Sequence, residues 1–317
     1  VHLAHLQVLA DSITHIDEIT WHHFHPSVVH HLVNGLDDPA LPDGDIALNS
    51  HLAPRVGLPV ELIQGYKLLS AALERHVFRA ACPKVCVARW LRDIGVAWGA
   101  DPQQFWTIPP GIDHDAFARR TPLVDRPVDV AMLYSSHPVK GTADGLEALE
   151  LVRQRYPNLQ VGLFSWFPSD DPPPAWTELH VGWDRTRLGT ELFDRTKVIV
   201  QASWREGFGL TPVEAMACGA ALVTTDNGGS AEYAEHGRTA LVVPPRDVEA
   251  LADAIVSLLE DEDRRATIAR AGAAHAATYT WDAAGEGLER HLEDYLRDPD
   301  PYQRPPADAP LFLGEEW

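Results

Sequence analysis

Cysteine, lysine and long apolar runs are the scarce features of this 317-residue chain, and each scarcity removes a class of function. Three cysteines, Cys82, Cys86 and Cys218, are too few and too unevenly spaced for a disulfide framework or a zinc site. They point to a reducing, cytoplasmic setting. No stretch approaches the roughly 18 uninterrupted apolar residues of a membrane-crossing helix, and the N-terminus lacks a basic segment followed by an apolar one. A soluble protein with at most peripheral membrane contact is expected. Positive charge is short as well: 26 lysines and arginines face 46 aspartates and glutamates, a formal charge of −20. With no local basic patch, that balance repels nucleic acid and anionic membrane surfaces, so neither is expected as a partner.

What is present is an orderly alternation. The length allows two domains at roughly 100 to 200 residues each. Up to about residue 49 the pattern is irregular, with histidines at His22, His23, His25, His30 and His31. They lack cysteine or paired carboxylate company, so solvated or capping roles outweigh a metal site. DIALNS (45–50) and VELIQGY (60–66) then read as buried strands, LLSAALERHVFRAA as an amphipathic helix, and KVCVARWLRDIGV as a strand feeding a helix. RRTPLVDRP (119–127) has the proline and charge of an interdomain linker. Beyond it, VDVAMLY, NLQVGLF, KVIVQAS, AALVTT and TALVV are short apolar runs separated or followed by helical stretches. Such alternation predicts a parallel sheet covered on both faces, with ligands at the carboxyl ends of its strands. The expected boundaries are 1–118 for the first domain, 119–127 for the linker, 128–297 for the second domain and 298–317 for an irregular, Pro- and Asp-rich tail.

Arg205 to Glu214, REGFGLTPVE, sits between the apolar run VIVQAS and the helical AMACG. A strand, a glycine-bearing turn and a helix start make an anion site, because free amides and the positive helix end converge there. Yet the stretch carries two carboxylates, Glu206 and Glu214, and no lysine. The plain reading of Thr211, Pro212 and Glu214 is a capping box with proline at the first helical position. Company argues for a ligand site instead: Glu206 lies eight residues earlier, Gly207 and Gly209 lie between, and small residues follow. Lys140, in HPVKG after the first strand of the second half, is one of four lysines, with Lys67, Lys84 and Lys197, and falls on the same sheet edge. DNGGSAEY (Asp226 to Tyr233) follows the strand AALVTT with a glycine turn and a helix predicted from Ser230; a plain turn and a ligand loop explain it about equally.

These residues carry a resemblance. REGFGLTPVEAMACGAALVTTDNGG resembles the E-x7-E region of the retaining GT-B glycosyltransferases of the family 4 group, relatives of sucrose synthase and of bacterial mannosyl- and rhamnosyltransferases. WTIPPGIDHDAF is similar to their interdomain segment, with Pro110 in place of an asparagine. VDVAMLYSSHPVKG resembles their lysine-bearing strand and loop, and TWDAAGEGLERHLEDYL their closing helix. The similarity covers about Val60 to Leu296.

The resemblance implies an α/β GT-B fold, two Rossmann-like domains facing a cleft. The N-terminal domain is expected to be incomplete, because its early glycine-rich loop is absent and the chain begins with Val1. The implied activity moves a sugar from a nucleotide-diphosphate sugar to a saccharide or lipid-linked saccharide, as in polysaccharide biosynthesis, with no metal and no organic cofactor. Glu206 would contact hydroxyls of the transferred sugar, assisted by the amides of Phe208, Gly209, Leu210 and Thr211. Glu214 would hold ribose hydroxyls, and Lys140 would neutralise the diphosphate. On that reading the carboxylates grip neutral hydroxyls on either side of the anion rather than facing it. The family's arginine five residues before the lysine is Ser135 here, so either fewer cations serve or Arg205 or a first-domain arginine substitutes. His51 is an acceptor-side candidate, against a plain loop histidine. A nucleotide-sugar-binding scaffold of the same fold without turnover is the alternative.

Overall fold

A computed structural model describes residues 4–8, 29–33, 46–48, 58–66, 71–169 and 171–303. His22, His23, His25 and His51 and the tail beyond 303 lie outside the described residues. Two compact units emerge, one comprising 1–108 and 286–317, the other 109–285. Residues 109–127, expected at the end of the first half and in a linker, fall in the second unit. Residues 286–297, expected in the second domain, fall in the first.

The first unit holds a parallel pair, β1 (Ala4–Val8) with β2 (Val29–Val33), where His30 and His31 lie, and a four-stranded parallel sheet. Its order is β3 (Ile46–Leu48), β4 (Leu58–Ile63), β5 (Lys84–Cys86), β6 (Phe105–Thr107). Helices α1 (Ala71–Arg79) and α2 (Arg89–Ala97) supply Val77, Phe78 and Leu91 to a core with Ile63 and Phe105. The expected strands and helices of this half are therefore present, with ends that differ by a few residues: β4 starts at Leu58 and α2 runs to Ala97. The one lysine of the sheet, Lys84, is buried, and its ammonium donates to the carbonyls of Ala80 and Cys82 and to Gln104. Three donors with three acceptors make it a structural pin.

The second unit is built on β7 (Val128–Leu133), β8 (Val161–Ser165), β9 (Thr177–Val181), β10 (Thr196–Gln201), β11 (Ala221–Thr225) and β12 (Ala240–Val243). All pairings are parallel, in the order β12-β11-β10-β7-β8-β9. Every residue of β8 and β11 is buried, because helices cover both faces and both side-chain alternations must be apolar or satisfied. After β7 comes α3 (Thr142–Arg155); after β9 a helical turn, α4 (Arg185–Arg187), continues as a π turn over Leu188–Leu192. Then follow α5 (Leu210–Ala217), α6 (Val248–Glu260) and α7 (Glu262–Ala276), with α3 packed on α6 and α5 on α7; α8 (Trp281–Arg297) begins in this unit and ends in the first.

The chain extends the sheet from β7 through β8 to β9, then crosses back to lay β10 on the other side of β7. The order of strands therefore reverses between β7 and β10, and a crevice at their carboxyl ends is the expected ligand position. The segment before β7 is bonded into this unit. Arg126 is buried and donates to the carbonyls of Thr196 (2.8 Å), Thr121 (3.0 Å) and Cys218 (2.6 Å). Asp194 accepts from the amides of Arg120 (2.7 Å) and Thr121 (3.0 Å) and from the Thr121 hydroxyl (2.7 Å). No helix of the described residues is long and apolar enough to cross a membrane.

Candidate functional site

The loops after β7, β10 and β11 leave the same sheet edge and are tied to one another by backbone. The amide of Trp204 donates to the Val139 carbonyl at 2.8 Å, and the amide of Glu206 to the Asn227 carbonyl at 2.9 Å. Gly141 closes the first loop at φ +65°, and a Cβ there would stand 2.0 Å from the Ala202 carbonyl oxygen. Only glycine allows both that dihedral and that approach. The first two loops bring Lys140 and Glu206 together: the ammonium lies 2.9 Å from both carboxylate oxygens. The Ser203 hydroxyl donates to Glu206 Oε1 at 2.7 Å. The lysine side chain is 31% exposed and the glutamate 10%. The lysine expected on the diphosphate and the carboxylate expected on the sugar are thus bonded directly to each other.

Helix α5 corrects the capping-box reading. It starts at Leu210 with Gly209 at the cap position, φ +89°, and no side-chain cap. Thr211 and Pro212 are its second and third residues; the proline removes only an N–H that has no partner within the helix anyway. Glu214 is therefore two residues too deep to reach the cap. Its side chain is fully buried, with Oε1 bonded to the Arg185 guanidinium and Oε2 without a hydrogen-bond partner among the described residues. Burial pushes this carboxyl up from 4.5 to about 7; Arg185 opposes the rise and Asp113 adds to it.

Behind the glycine turn stands a buried polar network that sequence patterns did not mark. Gln201 Oε1 accepts from the Thr224 hydroxyl (3.0 Å), the Asn227 amide (3.1 Å) and the Tyr233 hydroxyl (3.3 Å). Tyr233 fills the space next to Gly209, where a Cβ would meet its hydroxyl at 2.6 Å. Phe208 is buried edge-on against Tyr233 and Tyr279, with centroids at 5.5 and 5.3 Å. The turn holding the amides of Phe208 to Thr211 is thereby fixed from below. The third loop forms a short 3-10 turn, Gly229–Glu232, in place of the helix expected from Ser230. Asn227 Oδ1 accepts from the Ser230 amide at 2.9 Å. Ser135 is occupied locally: its amide donates to the Thr142 hydroxyl, which donates back to the Ser135 carbonyl. Arg205 lies in the loop between β10 and α5, one residue before Glu206.

Chemically, the edge presents a paired cation and carboxylate, a helix start, and a second carboxylate below the surface. Residues 183–275, which contain REGFGLTPVE, match the family described as glycosyl transferases group 1. The chain is 34% identical over 97 residues to a D-inositol 3-phosphate glycosyltransferase of Corynebacterium jeikeium, covering 31% of this chain and 23% of that relative. It is 28% identical over 235 residues to one of Stackebrandtia nassauensis, covering 63% of this chain and 53% of that relative. It therefore spans about half or less of the length of these curated relatives. Among solved structures it is similar to HepE of Anabaena in complex with UDP, with a TM-score of 0.69, 18% identity, and coverage of 84% of this chain and 86% of that one. A glycosyltransferase from Rickettsia africae gives 0.68, 17%, and 86% of each chain. These similarities show the GT-B fold, as the resemblance implied.

Proposed function

We propose that this chain carries the donor site of a retaining glycosyltransferase that moves a sugar from a nucleotide-diphosphate sugar to a saccharide or lipid-linked saccharide acceptor. One observation carries the reading: the strand-order reversal between β7 and β10 joins Lys140, Glu206 and the N-terminus of α5 at one edge. A diphosphate offers Lys140 a stronger partner than a single carboxylate, and the amides at the start of α5 add oriented dipoles. Once Lys140 turns to the phosphate, both oxygens of Glu206 become acceptors for sugar hydroxyls. Glu214 takes the ribose end. Departure of the diphosphate is then promoted by a fixed cation and fixed amides, so the charge that develops on the leaving group meets groups already in place. We assign the reaction no metal; activity abolished by a chelator and restored by manganese would overturn that assignment.

The setting we assign is cytoplasmic, where nucleotide sugars are the donor pool. The relatives named for D-inositol 3-phosphate make a phosphorylated polyol one member of the acceptor panel, beside saccharides and lipid-linked saccharides. The direct test is turnover of a panel of nucleotide sugars with these acceptors, with the anomeric configuration of the product read by NMR. Inversion would refute retention, and no turnover with any pair would refute the activity. The bonding of Lys140 to Glu206 favours a second reading, a nucleotide-sugar-binding scaffold in which the pair stays closed. Saturable donor binding without turnover is its signature. Thermal shifts identify the donor in either case, since a compound at 100 times its dissociation constant stabilises by about 2.7 kcal/mol.

A further inference from the structure

We propose that Arg185 is a positioning residue for this site: it fixes one oxygen of Glu214 and leaves the second oxygen as a single acceptor for a hydroxyl of the bound nucleotide. The proposal rests on the donor-site reading above. Its geometry is independent of any motif. The turn bearing Arg185 is capped by Asp184, whose carboxylate accepts from the Arg187 amide at 2.8 Å, and it runs directly into the π turn Leu188–Leu192. π turns insert one extra residue into a helix and concentrate at functional positions. The guanidinium lies over the Phe117 ring, 5.2 Å from its centroid, while it bonds Glu214 Oε1. A capped turn, a ring and a carboxylate thus hold one side chain that is still 30% exposed.

The arginine fork matches a carboxylate in two-pronged fashion, and many structural pairs use both prongs. Here only Oε1 is engaged, and Oε2 is buried without a partner among the described residues. Buried acceptors in native proteins are nearly always satisfied, so an open one beside a helix start points to a donor that arrives with the bound molecule. The charged and titratable groups that bear on Glu214 are Arg185 from the α4 turn, Asp113 from the segment preceding β7, and Cys218 at the end of its own helix. Arg185 is the only cation among them. The carboxyl stands at about 7 with Arg185 opposing the effect of burial, so loss of Arg185 raises it further and leaves Glu214 neutral at pH 7, and a neutral carboxyl is a weaker acceptor.

The test is calorimetry with uridine, adenosine and guanosine diphosphates, then with the 2′,3′-dideoxy form of whichever binds, from pH 5.5 to 9. In the wild type the ribose form should bind about tenfold tighter than the dideoxy form at pH 8, with the ratio shrinking as pH falls through about 7. Arg185→Met should reduce the ratio to near one at pH 7 and restore it toward pH 9. Arg185→Lys, which keeps the charge, should retain most of the ratio at pH 7. A wild-type pH profile in Arg185→Met overturns the proposal. Should that variant not fold, a wild-type ratio that is flat from pH 5.5 to 9 overturns it equally. If the wild type binds ribose and dideoxy forms alike, Glu214 takes no hydroxyl and the proposal fails while the diphosphate site survives. If it binds none of the diphosphates, the donor-site reading fails as well.

Discussion

The two carboxylates of REGFGLTPVE stand eight residues apart, and each is paired with one cation, yet they are physically unlike. Glu206 sits in a loop at the sheet edge, holds a lysine by both oxygens and borrows a serine hydroxyl. Its lysine keeps about a third of its side chain in water. Such a pair is stabilised weakly and can open, because solvent and phosphate compete with the carboxylate for the ammonium. Glu214 sits one turn inside a helix with no exposure, bonded to an arginine through one oxygen. That pair is held by a low-dielectric surrounding in which leaving either charge unpaired is expensive. On the proposed reading, position relative to one glycine turn separates the two roles: the carboxylate before Gly209 would exchange partners, and the one after it would have its charge state set.

The comparison breaks most visibly through turnover. Glu206→Gln should lower donor turnover about a hundred- to a thousandfold, the scale of losing a group that acts on the reacting sugar, while the free nucleotide diphosphate binds within about twofold of wild type. Single-turnover rates beside calorimetry separate the two quantities. Equal loss of diphosphate affinity would place Glu206 at the phosphate instead. Lys140→Ala should weaken diphosphate binding roughly ten- to a hundredfold, the worth of one charge-assisted contact. Unchanged affinity would remove Lys140 from the site.

The buried pair answers to pH through stability. The folded carboxyl of Glu214 lies at about 7 against 4.5 when unfolded, so between those values the native state binds more protons than the unfolded chain. Stability from this group is fully present below about 4.5 and is lost as pH rises through about 7. The change is on the order of 3 kcal/mol at most. Glu214→Gln should flatten that segment of the profile in urea melts taken from pH 4.5 to 8. An identical slope in both proteins would mean that Glu214 is ionised throughout the range.

How far the sequence revealed these contrasts depended on burial. Strands β7, β8, β10, β11 and β12 were legible as apolar runs because helices cover both of their faces. Strand β9 was missed: TELHV is the sheet edge, its side chains are half-buried or exposed, and its alternation with Glu178 and His180 reads as a polar connection. Lys140 and Glu206 could be named from strand ends and glycines. Their mutual bond could not, since it joins loops 66 residues apart through a strand-order reversal. The capping box, the plain alternative for Thr211 to Glu214, fails because the chain turns at Gly209, two residues before Thr211. Arg185 left no periodic signal at all. Gln201 was hidden inside VIVQAS, where one polar residue in an apolar run passes for noise until its three donors are seen.

The finest contrast concerns Ser203. Its hydroxyl is the only neutral side-chain donor to Glu206 among the described residues, at 2.7 Å from the oxygen that Lys140 also holds. Glu214 has no counterpart. If the loop pair is built to open, the serine is what steadies Glu206 while the lysine is away at the phosphate. Its removal should then matter during turnover and scarcely in the resting protein. Ser203→Ala is expected to lower kcat about threefold to tenfold, the scale of one hydrogen bond to a charged group, with diphosphate affinity unchanged. Thermal stability should move by about 1 kcal/mol or less, because Lys140 still satisfies both oxygens of the carboxylate in the resting state. If stability fell instead and kcat stayed level, the hydroxyl would be a brace of the closed pair, and the distinction between an opening pair and a fixed one would have to rest on Lys140 alone.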